Sequence, residues 1–161
     1  MANKYMKIYL QIVFAVKGRQ SLIQPTWEDE LHKYMTGIIQ GKKQKLLAIN
    51  GMPDHIHIFI DYKGHILLED LVREVKKASN AFIKEKKFTP YQFSWQSGYG
   101  AFSYSNSQKG KVMTYIQKQK EHHRKHTFKE EYLKLLELFE IDFKEEYVFD
   151  FIKNPYKEKS D

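Results

Sequence analysis

A chain of 161 residues is long enough to close one core that hides roughly 70% of its unfolded surface, and its 42% hydrophobic content excludes a natively disordered polymer. With 27 Lys and Arg against 20 Asp and Glu, the net charge of +7 attracts polyanions, of which nucleic acid is the commonest. The absence of cysteine excludes disulfides, thiolate metal sites and a cysteine nucleophile.

No apolar run approaches the roughly 18 residues of a membrane span, and Met1-Ala2-Asn3-Lys4-Tyr5 opens no signal-peptide core, so the expectation is a soluble, cytoplasmic protein with no membrane partner. One domain over residues 1–161 is expected, with a core from about 5 to 126 and a helical tail from about 127 to 161.

Residues 5 to 15 alternate, with Met6, Ile8, Leu10, Ile12 and Phe14 on one face and Tyr5, Lys7, Tyr9, Gln11 and Val13 on the other, which predicts a strand with one dry face. Pro25-Thr26 opens a helix whose Leu31, Tyr34, Met35, Ile38 and Ile39 recur at helical spacing and which stops near Gly41. A second strand over Leu46 to Asn50 runs into Asn50-Gly51-Met52-Pro53-Asp54, a turn signal that makes it the antiparallel neighbour of His55-Ile56-His57-Ile58-Phe59-Ile60.

Beyond Gly64, a helix from about Leu67 to Lys86 carries the stripe Leu68, Leu71, Val72, Val75, Ala78 and Phe82. The Gly-punctuated aromatic run Phe93 to Ser105 reads as a loop feeding a fourth strand. A helix from about Ser107 passes through Val112, Tyr115, Ile116 and Gln119 towards His122, and Thr127 with Glu130 forms a capping box before Leu133, Leu136 and Phe139.

Strand, helix, strand, strand, helix, strand is the split βαβ order. It predicts an α+β, ferredoxin-like or RRM-like fold, an antiparallel sheet with helices on one face and the tyrosine helix near the open face. Ile56, Ile58 and Ile60 then bury themselves, and His55 and His57 point together to the opposite side, where a metal ion fits between two imidazoles. On a helix, Tyr115 and Gln119 lie one turn apart on one ridge, so a phenol able to act as nucleophile stands beside an amide oxygen able to serve as a third, neutral ligand.

Each piece has an ordinary alternative. A His-x-His pair on a strand is more often two surface histidines than a metal site, and a tyrosine beside Val112 and Ile116 is ordinarily core. What breaks the core reading of Tyr115 is the next turn, where the apolar stripe gives way to Gln119, His122 and His123. His122 and His126 have zinc-chelating spacing, but Lys120, Arg124 and Lys125 crowd them, and a basic cluster of His122, His123, Arg124, Lys125 and His126, solvated or set against phosphates, fits better. Lys42, Lys43, Lys45, Lys118 and Arg124 are candidate DNA contacts.

Three motifs in order, Met52-Pro53-Asp54-His55-Ile56-His57-Ile58, then Trp95-Gln96-Ser97-Gly98-Tyr99-Gly100-Ala101-Phe102, then Tyr115-Ile116-Gln117-Lys118-Gln119-Lys120-Glu121-His122-His123, resemble those of the single-tyrosine HUH transposases of bacterial insertion sequences. The resemblance implies an enzyme that cleaves and rejoins single-stranded DNA. Mg2+ or Mn2+, held by His55, His57 and Gln119, would polarise the scissile phosphate for Tyr115, leaving a 5′-phosphotyrosine link and a free 3′-hydroxyl. It further implies a DNA hairpin near the element end as partner, and a homodimer in which the tyrosine helix of one subunit can serve the other in trans. Two other readings remain: a domesticated HUH nuclease serving the host, and a non-catalytic single-stranded nucleic-acid-binding module that stacks bases on Tyr9, Tyr99 and Tyr104. A replication initiator or relaxase is disfavoured by the small size.

Overall fold

A computed structural model of the chain describes residues 3–18 and 20–151. Its elements are β1 (Tyr9–Ala15), α1 (Pro25–Gly41), β2 (Lys45–Met52), β3 (His55–Asp61), α2 (Leu68–Lys86), β4 (Gly100–Tyr104), α3 (Lys109–Gln117), α4 (Gln119–His122) and α5 (Phe128–Leu138). The strands form one sheet in the order β2-β3-β1-β4 with every neighbouring pair antiparallel, the α+β ferredoxin-like arrangement expected from the element order. Among the described residues no helix is long and apolar enough to cross a membrane.

Register decides which side chains share a face. Leu10 pairs with Ile60, Ile12 with Ile58 and Phe14 with Ile56, so these six stand on one side of the sheet. α1 meets that side with Trp27, Leu31, Met35 and Ile39, every fourth residue, and α2 with Leu71, Val72, Val75 and Phe82. Pro25 starts α1 without a side-chain cap, because its missing N–H is one the first turn would leave unbonded anyway. On α2 the buried stripe also contains Ser79, which the apolar pattern passes over. Its hydroxyl donates to the Val75 carbonyl at 2.7 Å and accepts the Trp95 indole N–H at 2.9 Å, so a polar residue sits in the core fully bonded. Trp95 then packs edge-on against Phe14, and Gln96 donates its backbone N–H to Ala15, tying the loop before β4 to the end of β1.

Two features depart from the sequence expectation. β1 begins at Tyr9 rather than near Tyr5, which is 91% exposed. And β1 is dry on both faces, not one: Tyr9, Ala48 and Phe59 on the second face are sealed by Val112 and Ile116 of α3. A face that reads as solvated in a single strand is buried because helices distant in sequence return to cover it. Beyond α5 the chain makes a 3-10 turn at Glu145–Tyr147 and buries Phe149; the last ten residues of the expected tail, 152–161, lie outside the described residues.

Candidate metal and nucleophile site

The second face of the sheet carries the polar cluster. β2 and β3 are joined by a two-residue turn, Pro53-Asp54, tighter than the five-residue turn signal suggests, with Gly51 and Met52 still paired to Ile56 and His55. Gly51 is required there because a Cβ would overlap the His55 carbonyl oxygen, so the hairpin closes directly beneath the first histidine.

His55 and His57 are both 0% exposed, with ring centroids 5.0 Å apart. The ring of His55 is clamped by Phe128, stacked at 3.9 Å, and its Nδ1 donates to Asp54 Oδ1 at 2.7 Å. A carboxylate only accepts, so this bond keeps a proton on Nδ1 and leaves Nε2 turned into the site, the usual support for a metal-binding histidine. His57 Nδ1 lies 2.8 Å from the side-chain amide of Gln11, which in turn accepts from the Tyr104 hydroxyl at 2.7 Å.

Tyr115 and Gln119 arrive from the opposite direction. The expected continuous helix is broken between them: α3 ends at Gln117 and α4 starts at Gln119. Asn50 of β2 is the cause, since its amide donates to the carbonyls of Ile116 at 3.0 Å and Gln117 at 3.1 Å, satisfying acceptors of the last turn and anchoring the break to the sheet. Both side chains still reach the cluster. The Tyr115 ring stands edge-on to His57 at 6.1 Å, and Gln119, 0% exposed, places Oε1 3.2 Å from His55 Nε2.

The residue at the centre is Glu131 on α5. Oε1 lies 2.9 Å from His57 Nε2, 3.1 Å from His123 Nε2 and 3.3 Å from His55 Nε2; Oε2 accepts from Gln119 Nε2 at 2.9 Å and from the Tyr115 hydroxyl. The Thr127–Glu130 capping box starts α5 as read from sequence, and Gly100 lets Tyr132 come so close to β4 that a Cβ would meet its Oη at 2.5 Å. α5 is thereby pressed down on the sheet with Glu131 pointing inward.

Electrostatics follow from burial. Desolvation opposes charge on His55, but the Asp54 and Glu131 carboxylates outweigh it and push its pKa up to about 9. For His57, burial and the neighbouring His55 and His123 win over Glu131 and hold the pKa below its ordinary value. Burial would raise Glu131, yet His57, His123 and His55 hold its carboxyl well below the usual range. Burial and the Glu131 charge both push the Tyr115 phenol up, so the hydroxyl keeps its proton at neutral pH.

The donor set fits a divalent cation. The ligand atoms of His55, His57 and Glu131 all lie within 4.8 Å of one another, as do those of His122, His123 and Glu131. His122 and His126, the pair with zinc spacing, stack their rings at 4.8 Å, and His126 joins neither group among the described residues.

Four of the sequence-selected residues, His55, His57, Tyr115 and Gln119, therefore meet at one point. Lys118 and Arg124 border a depression of about 490 Å3 that also reaches Tyr115 and His122. Lys42, Lys43 and Lys45 do not join them: Lys45 pairs with Asp61, six residues along β3 from His55 and roughly 20 Å away. Sequence spacing does not single out Glu131, Gln11 or Asp54, and it places His123 in the surface basic cluster although that residue is 4% exposed. One signal exists for Glu131: it falls three residues after Phe128 and one before Tyr132, on the apolar stripe of its helix, where an unpaired carboxylate would be costly. The way in is a cleft of about 340 Å3 bordered by Tyr104, Lys111, Tyr115, His122, Glu131 and Lys134.

A ferredoxin-like sheet that carries a His-x-His strand beneath a helix-borne tyrosine is the layout of an HUH-type transposase. The family described as Transposase IS200 like matches residues 4–119, and the chain belongs to it. The fold is also that of two solved structures. A protein of Deinococcus radiodurans R1 assigned as a transposase aligns with TM-score 0.58 at 21% identity, over 74% of this chain and 95% of its own. A REP-associated tyrosine transposase bound to a REP hairpin aligns with TM-score 0.57 at 17% identity, over 76% and 73%. No curated protein sequence matches the chain significantly.

Proposed function

We propose that the protein cleaves and rejoins single-stranded DNA at the ends of an insertion sequence, with Tyr115 as nucleophile and a site for Mg2+ or Mn2+ built on His55, His57 and Gln119. The observation that carries this reading is the convergence of the Tyr115 hydroxyl, both imidazoles and the Gln119 amide on one buried point reached from the cleft. Membership of the transposase family supports the reaction class.

The bound ion would withdraw electron density from the phosphate and offset its charge. The protein does the rest. Glu131 and His57 hold the phenol at the mouth of the site, Asp54 and Phe128 keep the His55 ring from turning, and Lys111 and Lys134 at the cleft rim offer charge to the DNA backbone. As the Tyr115 oxygen–phosphorus bond forms, the phenol proton passes to Glu131 Oε2, and the bond to the 3′-oxygen breaks, that oxygen leaving as a free hydroxyl with a proton from solvent. The phosphotyrosine link keeps the energy of the phosphodiester, so the reverse step on another 3′-end needs no nucleotide.

The DNA partner is a single strand with a hairpin near the element end; the REP-bound relative supports hairpin recognition. Lys42, Lys43 and Lys45 are assigned to the hairpin duplex, at the end of the sheet away from the site, and Lys118 and Arg124 to the strand being cut. A homodimer is part of this reading. Tyr115 lies against the histidines of its own chain, which supports action in cis. Mixing Tyr115→Phe with His57→Ala protein tests the point, since only exchange of the tyrosine helix would restore DNA attachment. The non-catalytic alternative needs exposed stacking residues on the sheet, whereas Tyr9 is buried under α3 and Tyr104 is bonded to Gln11. The deciding experiment is incubation of an element-end oligonucleotide with protein and Mg2+ or Mn2+: a covalent protein–DNA adduct is expected, and its persistence in Tyr115→Phe would refute the assignment.

A further inference from the structure

The atoms at the centre of the site are imidazole nitrogens, an amide oxygen and carboxylate oxygens gathered around Glu131. His55 Nδ1 is held by Asp54, so Nε2 is the nitrogen turned into the site, where it lies 3.2 Å from Gln119 Oε1 and 3.3 Å from Glu131 Oε1. His123 repeats the pattern. Its Nδ1 must donate to the backbone carbonyl of His126 at 2.6 Å, which turns Nε2 to Glu131 Oε1 at 3.1 Å. The Gln119 amide is oriented by its own donation to Glu131 Oε2, so its oxygen cannot turn away to relieve the contact. Nε2 of His55 and of His123, the amide oxygen and a carboxylate oxygen thus converge, and the ligand atoms of His55, His57 and Glu131 all lie within 4.8 Å of one another, a set of atom types that suits a divalent cation.

We infer that Glu131 is itself a ligand of the ion, completing with His55 and His57 a two-imidazole, one-carboxylate set, with His123 on the far side of the same carboxylate oxygen. This inference rests on the metal site proposed above and adds to it an anionic ligand from α5. The carboxylate divides its work: Oε1 faces the imidazoles, and Oε2 holds the Tyr115 hydroxyl and the Gln119 amide, so one side chain ties the ion to the nucleophile. Ligation by His57 Nε2 requires its proton on Nδ1, which the Gln11 amide allows by turning over so that its oxygen accepts from Nδ1 and its nitrogen donates to Tyr104. Imidazole-rich ligation favours transition-metal dications, so Mn2+ is preferred to Mg2+.

The test is titration of MnCl2 and of MgCl2 into metal-free full-length protein, read by calorimetry and by the electron paramagnetic resonance signal of free Mn2+. Mn2+ is expected to bind at least about tenfold tighter than Mg2+. Glu131→Gln is expected to weaken Mn2+ binding by at least about tenfold, as is Glu131→Asp, which keeps the charge but withdraws the oxygens by one methylene. Circular dichroism verifies that each variant is folded; should Glu131→Gln not fold, the Asp variant decides. Mn2+ affinity unchanged in the folded Glu131 variant, with His57→Ala still abolishing binding, overturns the role of Glu131 and leaves the histidine site standing. Unchanged affinity in His57→Ala overturns the histidine site itself.

Discussion

On one face of the sheet Phe14, Ile56, Ile58 and Ile60 pack against α1 and α2; on the other, Gln11, His55 and His57 from alternate positions of the same two strands pack against α3 to α5. Both sets are essentially without solvent contact. The apolar face gains stability from area, about 1.5–3 kcal/mol for each large side chain taken from water. The polar face gains little from burial, because each imidazole, amide and carboxylate must recover its hydration through a neighbour. It holds together only as a network, and its one central anion is shared by four histidines, a tyrosine and a glutamine. Equal dryness therefore marks a scaffold on one side and a candidate site on the other.

Substitutions can break or sharpen that contrast. The largest effect is expected from Tyr115→Phe, which removes one oxygen at the cleft, should abolish the covalent DNA adduct altogether on denaturing gels, and should leave the far-UV spectrum unchanged. His57→Ala comes next, with Mn2+ binding weakened by at least about 100-fold in calorimetry while the protein remains folded. On the opposite face, Ile58→Ala should lower the unfolding free energy by about 2–5 kcal/mol in urea titration yet leave Mn2+ affinity within a factor of about three. A loss of metal binding there would mean that the two faces are not separable. The smallest effects belong to the surface cations. Lys118→Ala with Arg124→Ala should flatten the salt dependence of single-strand binding by about 0.7 in log–log slope for each phosphate no longer neutralised. Lys42→Ala with Lys43→Ala and Lys45→Ala should weaken binding of a hairpin but not cleavage of an unstructured strand.

The two faces are also unequally readable. Period-2 alternation of isoleucine and histidine along β3 is a local property of the backbone, so the orientation of both sets, the hairpin at Pro53-Asp54 and the split βαβ order can be read from residues alone, as can the capping box at Thr127. The four-residue step from Tyr115 to Gln119 likewise points both side chains one way, although the helix between them is broken by Asn50, 66 and 67 residues earlier in the chain from the carbonyls it bonds. Composition and alternation cannot report what comes back to cover a face, and so β1 reads as half-wet.

The direction of the His55–His57 pair was determined by the sequence itself, because side-chain direction within an element depends only on that element's period, whereas its link to the tyrosine helix came from the resemblance of three motifs in order. Glu131, 74 residues after His57, became the centre of the site only through tertiary structure. Its position depends on α5 docking, which Gly100 permits by leaving room for Tyr132, and on Phe128 stacking over His55. No periodicity connects those residues; the packing of one helix on the far side of the sheet does.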